Sequence, residues 1–301
     1  MRLCRFNADN VTQVGFYFDD LVVPIDPIEH ELETHENCLV DFVNDPLIAQ
    51  LFENILLSGR RTGIPTEDIE LLVPIGSPRK IFLLAGNYAA HVVERGGIVA
   101  ERDETFPYVF MKPPSTTLTA HGKPIIIPDI ATVGVDWEIE LAAVIGKRGK
   151  SIPTDLAAEH IAGYTIVNDI TQRQFRPNPS RKKRERDTFF DWLHGKWFDT
   201  FCPCGPCLVR AKDISDPQSL EMTLTVNGEI QQHGSTGQMI FSVAEIISFI
   251  SSMVTLEPGD IISTGTPAGV GSAKGKSLHP NDQVRATIAG IGTLANIVIG
   301  E

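Results

Sequence analysis

Residues 134–146 read Gly-Val-Asp-Trp-Glu-Ile-Glu-Leu-Ala-Ala-Val-Ile-Gly, which sets acids inside one of the most apolar strand-like stretches of the chain. Successive side chains of a strand point to opposite faces, so Asp136, Glu138 and Glu140 share one face while Trp137, Ile139 and Leu141 share the other. Carboxylates two residues apart repel strongly in a low-dielectric interior unless a cation, a shared proton or water relieves them. A hard divalent ion is the simplest relief, because Mg2+, Mn2+ and Ca2+ favour carboxylate oxygen. The competing reading is an amphipathic strand whose acidic face lies in water.

The remaining chain narrows the choice. A length of 301 residues suffices for a large core, read here as a small N-terminal domain over residues 1–75 and a larger one over 79–301, joined by the Pro- and Gly-punctuated stretch Val-Pro-Ile-Gly-Ser-Pro at 73–78. The first part alternates short strands, at 15–19 and 21–25, with a helix at 46–58, and carries no catalytic signal. A net charge of -12 argues against nucleic-acid and anionic-membrane partners. No apolar run reaches the length of a membrane span and the first residues lack a signal-peptide core, so a cytoplasmic protein is expected. The odd count of 5 cysteines then reads as reduced thiols. Three of them cluster as Cys202, Cys204 and Cys207, but no familiar spacing supplies a fourth zinc ligand.

After an apolar strand at 80–85 comes Gly-Asn-Tyr and a helical segment in which His91 and Glu94 are spaced i, i+3. On a helix they share a face, so the carboxylate can orient and charge-stabilise the imidazole as a general base; the plainer reading is an ordinary surface helix. Gly96 and Gly97 follow as a hinge for a mobile segment. A second apolar, β-branched strand at 161–170 carries Asp169 near its end. The basic run at 181–186 reads as a solvated loop, whereas Lys196 beside Trp197 reads as a partly buried ammonium. Asn227-Gly228 marks a tight hairpin, 243–253 an amphipathic helix, and Thr264-Gly265-Thr266-Pro267 a loop whose amides and hydroxyls suit a carboxylate. The Gly-rich stretch 269–277 is not a P-loop, because position 270 is valine.

Five motifs in order give the chain a resemblance to the fumarylacetoacetate hydrolase family, especially its domain-containing, acylpyruvase-like branch. They are Gly-Asn-Tyr-x-x-His-x-x-Glu at 86–94, Asp-Trp-Glu-x-Glu-Leu at 136–141, Val-Asn-Asp at 167–169, Gly-Lys at 195–196 and Thr-Gly-Thr-Pro at 264–267. The resemblance covers about residue 80 to the C-terminus. It implies an α+β, β-rich fold, a mixed β-roll preceded by a small N-terminal α/β domain, and a homodimer. It also implies Mg2+, or Mn2+ or Ca2+, held by Glu138, Glu140 and Asp169, with Asp136 on the same face but not a ligand. His91 and Glu94 become the water-activating pair, Arg173 and Lys196 the anion-stabilising cations, and Gly265 and Thr266 part of the substrate loop. The implied reaction is metal-dependent hydrolysis of a C–C bond in an acylpyruvate-type 2-oxo acid, giving pyruvate and a carboxylic acid. Isomerisation, decarboxylation or dehydration of a 2-oxo acid is the alternative on the same site. One departure stands out: where the family commonly has glutamine, this chain has Arg176, expected to pair with a second carboxylate on the substrate.

Overall fold

The computed structural model describes residues 1–9, 11–26, 33–59, 61–99 and 102–301. The long sheet, among the described residues, runs in the order Ile64–Pro65, Leu21–Ile25, Val11–Phe18, Arg2–Ala8, Cys202–Arg210, Ile161–Asn168, Ile139–Ile145, Ile261–Ser263, Ile81–Ala85, Tyr108–Met111. A second sheet of five strands contains Glu229–Ser235, Glu221–Val226, Gln283–Ile288, Gly292–Gly300 and Ile125–Ile127. The fold is mixed α+β and strand-rich, as expected.

Alternation along Ile139–Ile145 divides the core. Ile139, Leu141, Ala143 and Ile145 join the cluster shared with Met222, Leu224 and Val284 of the second sheet. Ala142 and Val144 face the opposite way, into a cluster with Leu39, Phe42 and Ile48 of the N-terminal helices Leu39–Phe42 and Pro46–Ser58. Both faces are therefore covered, and every residue of the strand is buried. The solvated-face reading fails for this reason.

Local signals set several boundaries. Asp45 caps the helix Pro46–Ser58 by accepting hydrogen bonds from the amides of Leu47 and Ile48, proline fills its first position, and Gly59 ends it in the left-handed region at φ 63°. Ser242 and Glu245 form a capping box at the start of Val243–Met253. Asn227 and Gly228 both take positive φ between Glu221–Val226 and Glu229–Ser235, the backbone a two-residue hairpin needs.

The N-terminal 75 residues do not build a sheet of their own. Arg2–Ala8 lies antiparallel to Cys202–Arg210, pairing Arg2 with Val209 and Leu3 with Leu208. The three clustered cysteines sit in that shared strand, all buried, with Cys202 and Cys204 facing the helix-side cluster and Cys207 the other. Burial pushes the Cys202 and Cys207 thiols up to about 12, so neither is a ready thiolate ligand. No helix among the described residues is long and apolar enough to cross a membrane.

The shared sheet makes a prediction about truncation. A chain beginning at residue 76 would leave Cys202–Arg210 with an open apolar edge, and it is expected to aggregate on expression. A soluble fragment with a cooperative thermal transition would show that the remainder folds by itself.

Candidate active site

Strand register assembles the acids. The pairing of Ile139 with Asn168 sets Glu138 beside Asp169, whose amide donates to the Glu138 carbonyl at 2.8 Å. On the other side Ala142 pairs with Ser263, and continuing that register brings Gly265 next to Glu140. The Gly265 amide donates to Glu140 Oε2 at 2.9 Å and the Ser263 hydroxyl to the same oxygen at 2.5 Å. Glu138, Glu140 and Asp169 each offer an oxygen within 4.8 Å of one another, and all three are buried. The 134–146 stretch is interrupted: Val135–Asp136 and Ile139–Ile145 are separate strands.

Cations buried beside the acids hold this arrangement together. Lys196 Nζ donates to Glu138 Oε2 at 3.0 Å, to the Thr171 hydroxyl at 2.8 Å and to Asp169 Oδ2. Its ammonium lies 4.8 Å from the centre of the Phe110 ring and 5.5 Å from that of Trp192. Trp197, its sequence neighbour, instead donates to the Met111 carbonyl and is partly exposed. Arg173 binds Asp136 Oδ2 through Nε at 3.0 Å and also binds Glu138. Asp136 accepts further hydrogen bonds from the amides of Gly271 (2.6 Å) and Ser272 (3.1 Å), so the rejected P-loop stretch serves to tie down a carboxylate of the protein itself.

Sequence reading missed Lys112. Its ammonium sits 2.5 Å from Asp169 Oδ1, fully buried, and also donates to the carbonyls of Ile170 (2.8 Å) and Phe201. The available signal was one lysine closing the apolar strand Tyr108–Met111 before two prolines. Gln232 was missed too: it accepts from the Ile139 amide at 3.1 Å and donates to the Thr266 hydroxyl and the Pro267 carbonyl, both at 2.8 Å.

Four carboxylates thus face three cations, and the imbalance falls on Glu140. Burial, then Asp169 and Glu138, push its carboxyl up to about 8. Glu138 goes the other way: burial would raise it, but Arg173 and Lys196 outweigh that and hold it well below the usual carboxylate range. The Lys196 ammonium is weakened by burial and restored by Asp169 and Glu138, with a net upward shift. These residues fit a hard divalent ion. Asp169 Oδ1 is buried without a well-directed hydrogen bond, three carboxylate oxygens converge, and the surplus negative charge is what a dication would neutralise.

His91 faces this cluster across a cleft. It lies on the helix Ala89–Glu94, with Nδ1 2.7 Å from Glu94 Oε1 and Nε2 3.8 Å from Glu138 Oε1. Glu94 is fixed in turn, its Oε2 accepting the Gly269 amide at 2.8 Å. Asn87 anchors the helix start by bonding the Thr264 carbonyl (2.8 Å) and both backbone groups of Phe241. The cavity between them, about 390 Å³, is lined by His91, Arg95, Glu138, Glu140, Arg173, Lys196 and Thr266, with an apolar wall that includes Phe106, Phe110 and Trp192.

Two expected substrate contacts lie elsewhere. Gly265 does not line the cavity; its amide serves Glu140. Arg176 is exposed, 3.5 Å from Asp191 Oδ2 and bonded to the Phe175 carbonyl, so it is not poised for a substrate carboxylate. The basic run is also not a free loop: Arg181 and Arg184 pair with Asp187 and Asp191 at the start and middle of the helix Asp187–His194.

Residues 80–299 match the family model described as fumarylacetoacetate (FAA) hydrolase, C-terminal. The chain belongs to this family. It is 43% identical over 233 residues, 76% of its length and 73% of the relative's, to oxaloacetate tautomerase YisK of Bacillus subtilis. Its fold resembles a 5-carboxymethyl-2-hydroxymuconate delta-isomerase from Mycobacterium smegmatis, with a TM-score of 0.73 and 30% identity over 100% of this chain and 99% of that one. A maleylpyruvate hydrolase from Sphingobium sp. SYK-6, solved with manganese(II) and pyruvate, gives 0.77 and 26% over the same coverage. The fumarylacetoacetate hydrolase relatives therefore span hydrolases, isomerases and tautomerases.

Proton linkage offers a direct test of the acid cluster. With Glu140 raised to about 8, its proton must leave when a dication binds, so Mn2+ affinity should climb with pH and level off above about 8. Calorimetric titration at neutral pH in buffers of different ionisation enthalpy should report release of about one proton. Uptake without proton release would contradict the arrangement.

Proposed function

We propose that this protein interconverts the keto and enol forms of an oxaloacetate-type 2-oxo acid at a divalent cation held by Glu138, Glu140 and Asp169. The observation that carries the reading is His91, whose Nε2 faces the acid cluster while Glu94 holds Nδ1 at 2.7 Å. The identity to an oxaloacetate tautomerase supports the choice of substrate.

Glu138, Glu140 and Asp169 would hold the cation, which would supply Lewis-acid stabilisation of negative charge on the 2-oxo oxygen. His91 Nε2 then takes a proton from the carbon next to the 2-oxo group, and the imidazolium formed is stabilised by Glu94. The same proton is returned to the oxygen, completing the tautomerisation without other reactants. Arg173 uses Nε and Nη2 on Asp136 and Glu138, which leaves Nη1 for the anion that develops. Lys196 spends its donors on Glu138, Asp169 and Thr171, so its task is to fix those groups and their charge.

Hydrolysis of an acylpyruvate C–C bond is the second reading. It is favoured by the cavity volume of about 390 Å³, more than a four-carbon acid fills, which leaves room for an acyl group and a water between it and His91. In that reaction the same imidazole deprotonates water instead of carbon.

Ultraviolet absorbance of the enol of oxaloacetate, followed with Mn2+ or Mg2+ and with chelator, tests the proposal. Acceleration lost on chelation and reduced about 10²- to 10⁴-fold in His91→Asn is expected. Faster pyruvate release from acylpyruvates than enol conversion would select the hydrolase reading, and turnover unaffected by His91→Asn would reject both.

A further inference from the structure

The mechanism above leaves one charged lining group unassigned. Arg95 follows directly on the helix that carries His91 and Glu94, and it lines the same cavity as Arg173, Glu138 and Glu140. It makes no ion pair among the described residues; its guanidinium donates to the Ser272 hydroxyl at 2.5 Å. The carboxylates nearest to it are engaged: Asp136 and Glu138 by Arg173, Glu138 again by Lys196, and Glu94 by His91 and the Gly269 amide. Partial burial, and then repulsion from Arg173, lower its basicity against the opposing pull of Glu138, Asp136 and Glu94.

Its place beside the charged cluster gives this residue a task. With all four acids ionised, the inner cluster, Asp136, Glu138, Glu140 and Asp169 against Arg173, Lys196 and Lys112, carries one surplus negative charge, which a dication would turn into one surplus positive charge. One substrate carboxylate balances that. Arg95 lies outside that count and lines the same cavity with no ion pair of its own among the described residues, beside the Gly271–Lys274 turn. A guanidinium there, oriented by Ser272, presents a planar set of donors suited to a carboxylate.

From this geometry we propose that Arg95 binds the distal carboxylate of the substrate and makes the site selective for 2-oxo dicarboxylic acids over monocarboxylic ones. This rests on the 2-oxo acid reading above, and it gives to Arg95 the contact that the sequence suggested for Arg176. Arg95 is a specificity residue: it touches the distal carboxylate and not the atoms that react.

Equilibrium binding to the Mn2+-loaded protein, with 2-oxoglutarate and 2-oxovalerate as probes, tests the proposal without relying on turnover. The wild-type protein is expected to bind the dicarboxylate more tightly by about tenfold, the worth of one ionic hydrogen-bonded contact at a partly exposed site. Arg95→Gln should abolish that preference while leaving 2-oxovalerate affinity unchanged, which also shows that the variant is folded, and Arg95→Lys should keep part of it. Equal affinities in the wild-type protein, or a preference that survives Arg95→Gln, would overturn the assignment of Arg95 and leave the 2-oxo acid reading standing. Failure of the loaded wild-type protein to bind either acid would overturn both.

Discussion

Three carboxylates on one buried face of a β-sheet are the constraint around which the rest of this structure is arranged. Cross-strand register alone brings Glu138, Glu140 and Asp169 together, and the cost of keeping such a group charged and dry is several kcal/mol per uncompensated ion. The chain answers with cations drawn from different elements: Lys112 after the strand Tyr108–Met111, Arg173 after Thr171–Gln172, and Lys196 after the helix Asp187–His194. Each is itself buried by aromatic or backbone neighbours, so acids and bases are acceptable only together. Removing one partner would strand the others.

The same network explains why remote segments are held as they are. Asp136 binds Arg173 on one side and the amides of Gly271 and Ser272 on the other, which fixes the turn against which Arg95 rests. Gln232, from the second sheet, bonds both the acid strand and Thr266, which ties that sheet and the loop at 264–267 to the strand of Glu140. The helix bearing His91 is the more exposed partner: Val93 and Ile98 around it point to solvent, and its attachments include Asn87, Glu94 and Arg95. A buried charged floor therefore faces an imidazole carried on a more exposed element.

Much of the site is legible in short stretches of sequence, because each chemical unit is local. The i, i+3 spacing of His91 and Glu94 becomes a direct contact, and the alternation of Glu138 and Glu140 puts them on one face. Pairings that depend on register or on distant chain are not legible. Lys112 meets Asp169 across 57 positions, and Arg2 meets Val209 only because the first strand enters a sheet whose centre lies far along the chain. Arg176 illustrates a related point: a motif position fixes its place in sequence, but in the fold it is exposed and lies 3.5 Å from Asp191 of the following helix. The basic run at 181–186 reads as solvated because its acidic partners, Asp187 and Asp191, lie on the helix Asp187–His194 that follows it.

The central claim, that the buried acids form a dication site, is tested most directly by an X-ray structure of the Mn2+-soaked protein with anomalous scattering recorded for manganese. The account predicts a single strong peak within about 2.0–2.3 Å of one oxygen from each of Glu138, Glu140 and Asp169. A peak elsewhere, or none at a saturating concentration while Lys196 still bridges Glu138 and Asp169, would contradict it.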